Sequence, residues 1–367
     1  MFSLFSKQKS AFGLDISETS VRMMQLEPAS RGFFPTAYAE APMPKGIIKE
    51  EKIDAPETLA KLIMRARSQP VYGRFRGEHV VLSVPESKSF VRVITVPKMS
   101  EKEAREAVPF EAEQYIPVAS DQVYLDFKIL PETDLASAPN KMKVIICATP
   151  RNLIDNYTQV VKLAKLKPVA VEVESEAVAR CLVDKKNQNT PTLILDIGAF
   201  HTSLIIYDLK TLQFTSSLPI AGNSFTNQIS QGLTISLEES EKIKRQIGIL
   251  PQRDDGRVRA TLSPLMNSLM EAVRNTINFY REHSEGARDI KQILLCGSGS
   301  KLRGLADYLN ERAASESAVA ATKIVQLGDP WVNVLEKPIT KIPPISKVDS
   351  ISFTTVIGLA LRGAQME

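Results

Sequence analysis

Two turns tipped by an acid are the residues best placed to do chemistry. Asp15 lies in the apolar run Phe12-Gly13-Leu14-Asp15-Ile16, which meets the polar turn Ser17-Glu18-Thr19 before a second apolar run starts at Ser20-Val21. Asp196 repeats the pattern in Leu193-Ile194-Leu195-Asp196-Ile197, ahead of Gly198-Ala199-Phe200-His201 and the run from Thr202 to Tyr207. Each reads as a β-hairpin with a carboxylate at its mouth. A polyphosphate needs backbone N–H donors in tight turns and acids that hold Mg²⁺ through its waters. Ser17, Thr19 and Ser20 supply hydroxyls and amides in the first turn, and Gly198 lets the second approach a phosphate closely. Either hairpin alone is an ordinary turn aspartate. The pair is explained by one ligand between two lobes.

Three further pieces suit the rest of such a ligand. The segment Ile290 to Leu302 reads as strand, glycine turn and helix, and its Gly297-Ser298-Gly299 would let a flat base or a ribose lie against backbone. A generic strand-to-helix turn is an equal reading, since the full GxGxxG pattern is missing and no GxxxxGK[ST] loop occurs. Glu241 and Lys244, spaced i, i+3, share one helical face, either as a solvated ion pair or as a grip on the nucleoside. Gly222-Asn223 opens a helix and so is placed to meet a phosphate or sugar.

The elements that must position these residues follow from periodicity. Helices are expected over Ala55–Ser68, Ser175–Leu182, Asn223–Gly232, Leu237–Ile247 (with Ser236 and Glu239 as a capping-box pair), Leu262–Arg281 and Leu302–Ala314. An insertion between Lys88 and Lys167 reads as a small α+β subdomain: strand Phe90–Val96, helix Ser100–Tyr115, strands Val123–Ile129 and Met142–Ala148, and helix Leu153–Leu166. Pro109 is expected to kink that first helix or divide it into two. The two hairpins imply two similar halves, each around its own sheet.

Composition bounds the answer. The 367 residues exceed a single core, so two lobes or more are expected. Apolar residues at 43% and charged residues at 24% are the mix of a soluble globular chain, and a net charge of +4 does not argue for nucleic acid. Cys147, Cys181 and Cys296 sit in apolar runs without a CxxC pair, which indicates buried reduced thiols and no zinc site. No apolar stretch is long enough to span a bilayer. Ala41-Pro42-Met43-Pro44 and Lys341-Ile342-Pro343-Pro344 read as linkers or covers, and Ala313–Thr322 is low in complexity.

Taken in order, the five pieces resemble the actin-like ATPases. The stretch Val96-Pro97-Lys98-Met99, then Glu106-Ala107-Val108, then Glu111-Ala112-Glu113-Gln114-Tyr115-Ile116-Pro117 with Asp126-Phe127 beyond, resembles more closely the PilM family of type IV pilus assembly, as do Met1–Lys9 and Ala221–Thr226. The resemblance implies an α/β actin-like ATPase fold with duplicated ribonuclease H-like lobes and an inserted α+β subdomain 1C, as in the related cell-division protein FtsA. It divides the chain into subdomain 1A (1–88, 168–190 and the C-terminal helix 351–367), 1C (89–167), 2A (191–235 and 290–350) and 2B (236–289). ATP or ADP with Mg would bind between lobes. Asp15 and Asp196 would hold the metal. Ser17, Thr19, Ser20, Gly198 and Thr202 would lie near phosphates, and Gly222, Asn223, Glu241, Lys244, Gly297, Ser298 and Gly299 would meet the rest of the nucleotide. Glu174 stands where the fold places a water-orienting catalytic acid, although a helix-start acid favoured by the dipole is an equal reading.

The resemblance also implies a scaffold, at most a slow ATPase. It would sit in the cytoplasm at the inner face of the inner membrane and dock, between 1A and 1C, the N-terminal tail of a PilN-like single-pass membrane protein. Other pilus assembly proteins, a motor ATPase among them, are further expected partners, and the membrane is reached only through the partner. Two alternatives stay open: an FtsA-like membrane tether or filament, against which the short polar tail Leu361–Glu367 argues, and a small-molecule kinase, against which the lack of a spare catalytic acid argues.

Overall fold

Short apolar runs set the scaffold. The computed structural model describes residues 11–130, 140–284, 286–315, 324–336 and 342–366. Met1–Lys9, most of the low-complexity stretch after Ser315, and Lys341 therefore lie outside the described residues. Along the chain run β1 (Phe12–Ile16), β2 (Ser20–Pro28), β3 (Phe33–Pro42), a small hairpin of β4 (Ile48–Lys49) and β5 (Lys52–Ile53), α1 (Pro56–Ser68), β6 (Tyr72–Gly73), β7 (His79–Val84) and β8 (Phe90–Pro97). Then come α2 (Glu101–Ala112), β9 (Val123–Ile129), β10 (Lys141–Pro150), α3 (Arg151–Leu163), β11 (Lys167–Val173), α4 (Glu174–Leu182), β12 (Thr192–Ile197), β13 (Thr202–Asp208) and β14 (Thr211–Leu218). The chain continues through α5 (Gly222–Leu233), α6 (Leu237–Gln246), α7 (Arg257–His283), β15 (Gln292–Cys296), α8 (Leu305–Ser315), β16 (Ile324–Leu327), α9 (Lys347–Ser350) and α10 (Thr354–Gln365). Both expected hairpins form, as β1–β2 and β12–β13.

The chain divides into two compact units, one of Met1–Pro85, Arg151–Asp184 and Asp329–Glu367, the other of Glu86–Pro150 and Lys185–Gly328. The first holds a six-stranded sheet in the order β11-β7-β1-β2-β3-β6. β1 pairs parallel with β7 and antiparallel with β2, and all five of its residues are buried, as both faces of the strand are covered. Helix α10 packs on β1, β2, β7 and α4, while α1 and α3 pack on one another. A Cβ at Gly358 would run into the Ala177 carbonyl, so α10 and α4 approach closely only because that residue is glycine. Buried Glu172 clamps the joint: it takes both ends of the Arg180 guanidinium, at 2.6 and 2.9 Å, and also pairs with Arg362.

The second unit repeats the plan. Strands β14-β13-β12-β15-β16 follow the order and polarity of β3-β2-β1-β7-β11. This is the duplication that the two hairpins imply. The sheet is then extended by β8, β10 and β9, with Phe214 of β14 opposite Arg92 of β8. The Arg92 guanidinium lies 5.1 Å from the Tyr115 ring and 5.2 Å from the Phe279 ring, tying α7 to the inserted strands. The insertion has its own core of Ile94, Val96, Ala104, Val108, Met142, Val144 and Ile146. Helix α3, which the periodicity places at the end of the inserted segment, groups instead with the first unit, against α1 and β11.

Pro109 does not divide its helix. α2 runs unbroken through it. Ala104, Val108 and Ala112 bury one continuous face, and the helix ends three residues beyond the proline, so little of its hydrogen-bond ladder is lost. Helix α7 starts at Arg257, before the apolar stripe from Leu262, and α8 starts at Leu305 after a 3₁₀ turn over Ser298–Lys301. Ser236 caps α6 as its sequence position indicates, accepting from the Glu239 N–H at 3.2 Å. The three cysteines form no disulfide, and Cys181 and Cys296 are buried as expected while Cys147 is only half-buried. Among the described residues no helix is long and apolar enough to cross a membrane.

Candidate functional site

In the first unit the apolar β1 must end where the chain turns, and that turn is built from serine. Ser17 Oγ accepts from the N–H groups of Ser20 at 3.1 Å and Thr19 at 3.4 Å, while the Ser17 N–H donates to the Ser20 carbonyl at 2.9 Å. The hydroxyl thus closes the hairpin mouth on itself. Glu18, at the tip, accepts from the Glu51 N–H at 2.8 Å. Asp15 sits one residue before the strand end, opposite Arg22, and is buried. Burial pushes its carboxyl above the usual carboxylate range, against the opposing pull of Arg22 and of a hydrogen bond from Ser83 Oγ at 3.3 Å. A bound cation would relieve that cost, so the donor chemistry fits one.

Glu174 opens α4, half-buried, directly after β11. It meets Asp15 around a residue that the sequence reading missed. The phenol of Tyr157, buried on α3, is pushed up first by burial and then by the charges of Glu174, Glu51, Asp15 and Glu18. One tyrosine on an amphipathic helix carries no sequence signal that four carboxylates will converge on it.

In the second unit the structure gathers more of the expected residues. Asp196 lies near the end of β12, beside Cys296 of the parallel β15. The Gly198 N–H donates to the His201 carbonyl at 2.9 Å, closing the β12–β13 turn. The helix start beyond it folds back onto this turn: the Gly222 N–H donates to the Gly198 carbonyl at 3.0 Å and the Asn223 N–H to the Ala199 carbonyl at 2.9 Å. The first two amides of α5 therefore hold the turn. Among the described residues, the amides of Ala199 and Phe200 meet no acceptor and remain for an anion.

The Gly297–Gly299 turn stands against the same place. Gly297 has φ 80°, the left-handed region, and a Cβ there would collide with the Asp196 carboxylate and the Ile197 carbonyl. A Cβ at Gly299 would collide with the Ile197 side chain and lie 3.0 Å from the Gly198 carbonyl oxygen. Both glycines are thus demanded by the approach of this turn to Asp196, while Ser298 between them is exposed. Ser300, buried, closes the turn by donating to the Gly297 carbonyl at 2.7 Å. Thr202 is also buried, and its hydroxyl donates to the Ile220 carbonyl at 2.5 Å, fixing β13 to the segment that leads into Gly222.

Glu241 and Lys244 complete this cluster from α6. The Lys244 ammonium donates to the Gly222 carbonyl at 2.9 Å and to Thr226 Oγ1 at 2.8 Å, and pairs with Glu241 at 2.6 Å. An ammonium has three N–H donors, and all three are used. Burial pushes the Glu241 carboxyl up, but hydrogen bonds from Lys244, Thr226 and Arg245 prevail and hold it below the usual range. Asp196, Gly198, Gly222, Asn223, Glu241, Lys244, Gly297 and Gly299 therefore form one constellation in the second unit. Asp15, Ser17, Thr19, Ser20 and Glu174 form another in the first. Among the described residues there is no group of three or more His, Cys, Asp and Glu able to hold a metal ion. A cavity of about 280 Å³ in the first unit, lined by Glu27, Arg31, Phe33, Phe34 and Leu335, lies at the far end of β2 from Asp15 and belongs to neither constellation.

Two repeated sheets, each with an acid-tipped hairpin, and a glycine turn beside the second acid are the features of an actin-like protein. A structure of MreB5 of Spiroplasma citri bound to ADP shares the fold, at 13% identity and a TM-score of 0.50 over 95% of both chains. The chain belongs to the PilM family: the family model described as type IV pilus assembly protein PilM matches residues 13–364. A solved structure titled "PilM-PilN type IV pilus biogenesis complex" is similar at 27% identity and a TM-score of 0.77, over 97% of this chain and 99% of that one. The cell division protein FtsA of Bacillus subtilis is 24% identical over 151 residues, so the match spans about a third (34%) of that curated relative.

Proposed function

We propose that the protein is an ATP-binding scaffold of the type IV pilus assembly complex. The observation that carries the nucleotide reading is the cluster of Asp196, Gly198, Gly222, Gly297 and Gly299, in which two turns and a helix start meet around one carboxylate. The second turn amides would take phosphate oxygens, and Gly297-Ser298-Gly299 would face the nucleoside. Glu241 and Lys244 would fix the Gly222 turn beneath it, with Thr202 and Asn223 supporting the same turn. Asp15, with Ser17, Thr19 and Ser20, would serve the phosphates from the other hairpin. Mg²⁺, held by Asp15 and Asp196 through water, would supply charge neutralisation for the phosphates. Glu174 would orient a water, with slow turnover.

The test is a titration with labelled ATP in the presence of Mg²⁺. Wild type is expected to bind, and Asp196→Ala to bind at least tenfold more weakly. Equal affinity in both removes the metal assignment.

The partner reading rests on the likeness to the PilM–PilN complex over nearly the whole of both chains. We infer a PilN-like membrane protein whose cytoplasmic N-terminal tail docks on this chain between 1A and 1C, holding it at the inner face of the inner membrane. Anisotropy with a labelled tail peptide tests this, and peptide binding that ignores substitutions on the inserted subdomain counts against it. Residues Val356–Leu361 of α10 are all buried in the first unit, so this helix itself does not lie in a bilayer interface.

A further inference from the structure

One surface of the first unit carries a single sign of charge. Residues 58–77 contain Lys61, Arg65, Arg67, Arg74 and Arg76 and no Asp or Glu, a local charge of +5 against +4 for the entire chain. Lys61 and Arg65 stand one turn apart on the outer face of α1, while its inner face buries Leu59, Ala60, Ile63 and Ala66. The helix ends into the segment that carries β6, with Arg74 and Arg76 exposed just beyond it. Among the described residues Lys61, Arg65 and Arg74 meet no carboxylate. Arg76 reaches Glu27 at 3.4 Å, but its side chain stays 76% exposed, and a pair so open to water holds it only weakly. Arg67 turns inward to the Gly77 carbonyl. Lys61, Arg65, Arg74 and Arg76 therefore face solvent.

Between the helical and the strand cations the chain holds two apolar side chains out. The Val71 N–H donates to the Tyr38 carbonyl at 2.9 Å, and Gly73, at φ 67°, comes so near β3 that a Cβ would strike the Thr36 carbonyl. Pinned in this way, the segment presents Val71, 61% exposed, and Tyr72, 37% exposed. Tyr72 belongs to β6, the outermost strand of its sheet, and one face of its ring stacks on Tyr38. The pair thus projects from a sheet edge. A single strand of nucleic acid is tracked by a charged groove with successive stacking rings. A bilayer surface asks for something else: several cations for the headgroup phosphates, and an aliphatic or tyrosine side chain at headgroup depth. The strip has the second composition.

We propose that the α1–β6 strip is a contact surface for an anionic lipid bilayer, with Lys61, Arg65, Arg74 and Arg76 on the headgroup phosphates and Val71 and Tyr72 between them at headgroup depth. The contact is peripheral, because the apolar face of α1 is spent on the protein core and cannot enter the acyl region. The family resemblance implies that the membrane is reached only through the partner, and this surface adds a contact made by the chain itself. The inference rests on neither the nucleotide nor the partner reading, since no residue of the strip is assigned to either.

Flotation of the full chain with vesicles, in the absence of any partner peptide, tests it. The vesicles are phosphatidylcholine alone or with about 30% phosphatidylglycerol, at about 50 mM and about 300 mM salt, because exposed charges are screened over about 10 Å at 0.1 M. Wild type is expected to float with the anionic vesicles at low salt, to be released at high salt, and to ignore the neutral ones. Each cation near an anionic surface is worth roughly fivefold in affinity, so Lys61→Glu with Arg74→Glu should weaken binding at least tenfold. Lys61→Arg with Arg74→Lys should keep it. Both variants should melt with wild type, since neither residue meets a carboxylate. Val71→Ser leaves the charge unchanged and should weaken binding about threefold, as a buried aliphatic side chain demands. Wild type that fails to float with anionic vesicles at low salt overturns the proposal, as does equal binding to neutral vesicles or a charge reversal without effect. Binding of polyglutamate or single-stranded DNA that needs Lys61 and Arg74, while the vesicles stay bare, also overturns it and assigns the strip to an acidic macromolecule.

Discussion

Replacing Lys244 by Met separates a structural tie from a ligand grip. The ammonium is only 14% exposed and makes two hydrogen bonds, to the Gly222 carbonyl and Thr226 Oγ1, besides its contact with Glu241. Methionine keeps most of the apolar stem and loses all three. Hydrogen bonds to a charged donor contribute about 1.5–3 kcal/mol each when shielded. The Glu241 contact is discounted, because that carboxylate is 34% exposed and also bonds Arg245. The expected loss is about 3 kcal/mol, or about 6–12 °C in the melting temperature of a domain of this size. The sign with pH also follows. Glu241 is held below its usual range, so its contribution is present above its unfolded value and fades as the solution is acidified through the folded one. The gap between variant and wild type should therefore narrow towards acid. Differential scanning fluorimetry across pH measures both, and labelled ATP measures binding at a temperature where both proteins are folded. Since no N–H of Lys244 is left for a ligand, affinity should fall less than about fivefold, a shift below ~1 kcal/mol. A melting temperature within 2 °C of wild type, combined with lost nucleotide binding, would refute the reasoning.

Asp15→Asn should stabilise the nucleotide-free protein near neutral pH while weakening Mg-ATP binding. The Asp15 carboxyl is raised by burial, so its favourable contribution is full in acid and is lost as pH rises through its folded value; urea midpoints should show the advantage of the variant growing from about pH 4 to pH 7. A constant difference would exclude Asp15 as the source. Gly358→Ala should destabilise by about 2 kcal/mol or more, although alanine is the better helix former by about 1 kcal/mol, because its methyl meets the Ala177 carbonyl; chemical denaturation that shows a gain would contradict the close helix contact. Tyr280→Phe should cost about 2 kcal/mol, since the phenol donates at 2.7 Å to fully buried Asp208; an unchanged unfolding midpoint would show that Arg288 and the Leu209 N–H satisfy that acid without it.

Much of the fold is legible along the chain. Apolar strands that end in Asp15 and Asp196 are local patterns, and so are the helix stripes, the Ser236 cap and the strands of the insertion. Period and turn chemistry act over a few residues, so reading them requires no knowledge of the fold. The repeat of one hairpin at two distant places was enough to imply two halves of like plan.

The chemistry of each site residue was decided only in three dimensions. Glycines at 297 and 299 read equally as a ligand turn or a plain one, and tertiary contact shows what each one avoids: the carboxylate and backbone at the end of β12. Whether Lys244 is a free cation or a spent one depends on a carbonyl 22 residues away. Tyr157 gains its four acidic neighbours from segments between 15 and 174, and Pro109 stays in a helix because the buried face of α2 outweighs one missing N–H. Sequence specifies the local backbone because its forces act between near neighbours. Burial, hydrogen-bond satisfaction and charge environment depend on residues remote along the chain, so only the folded structure sets them.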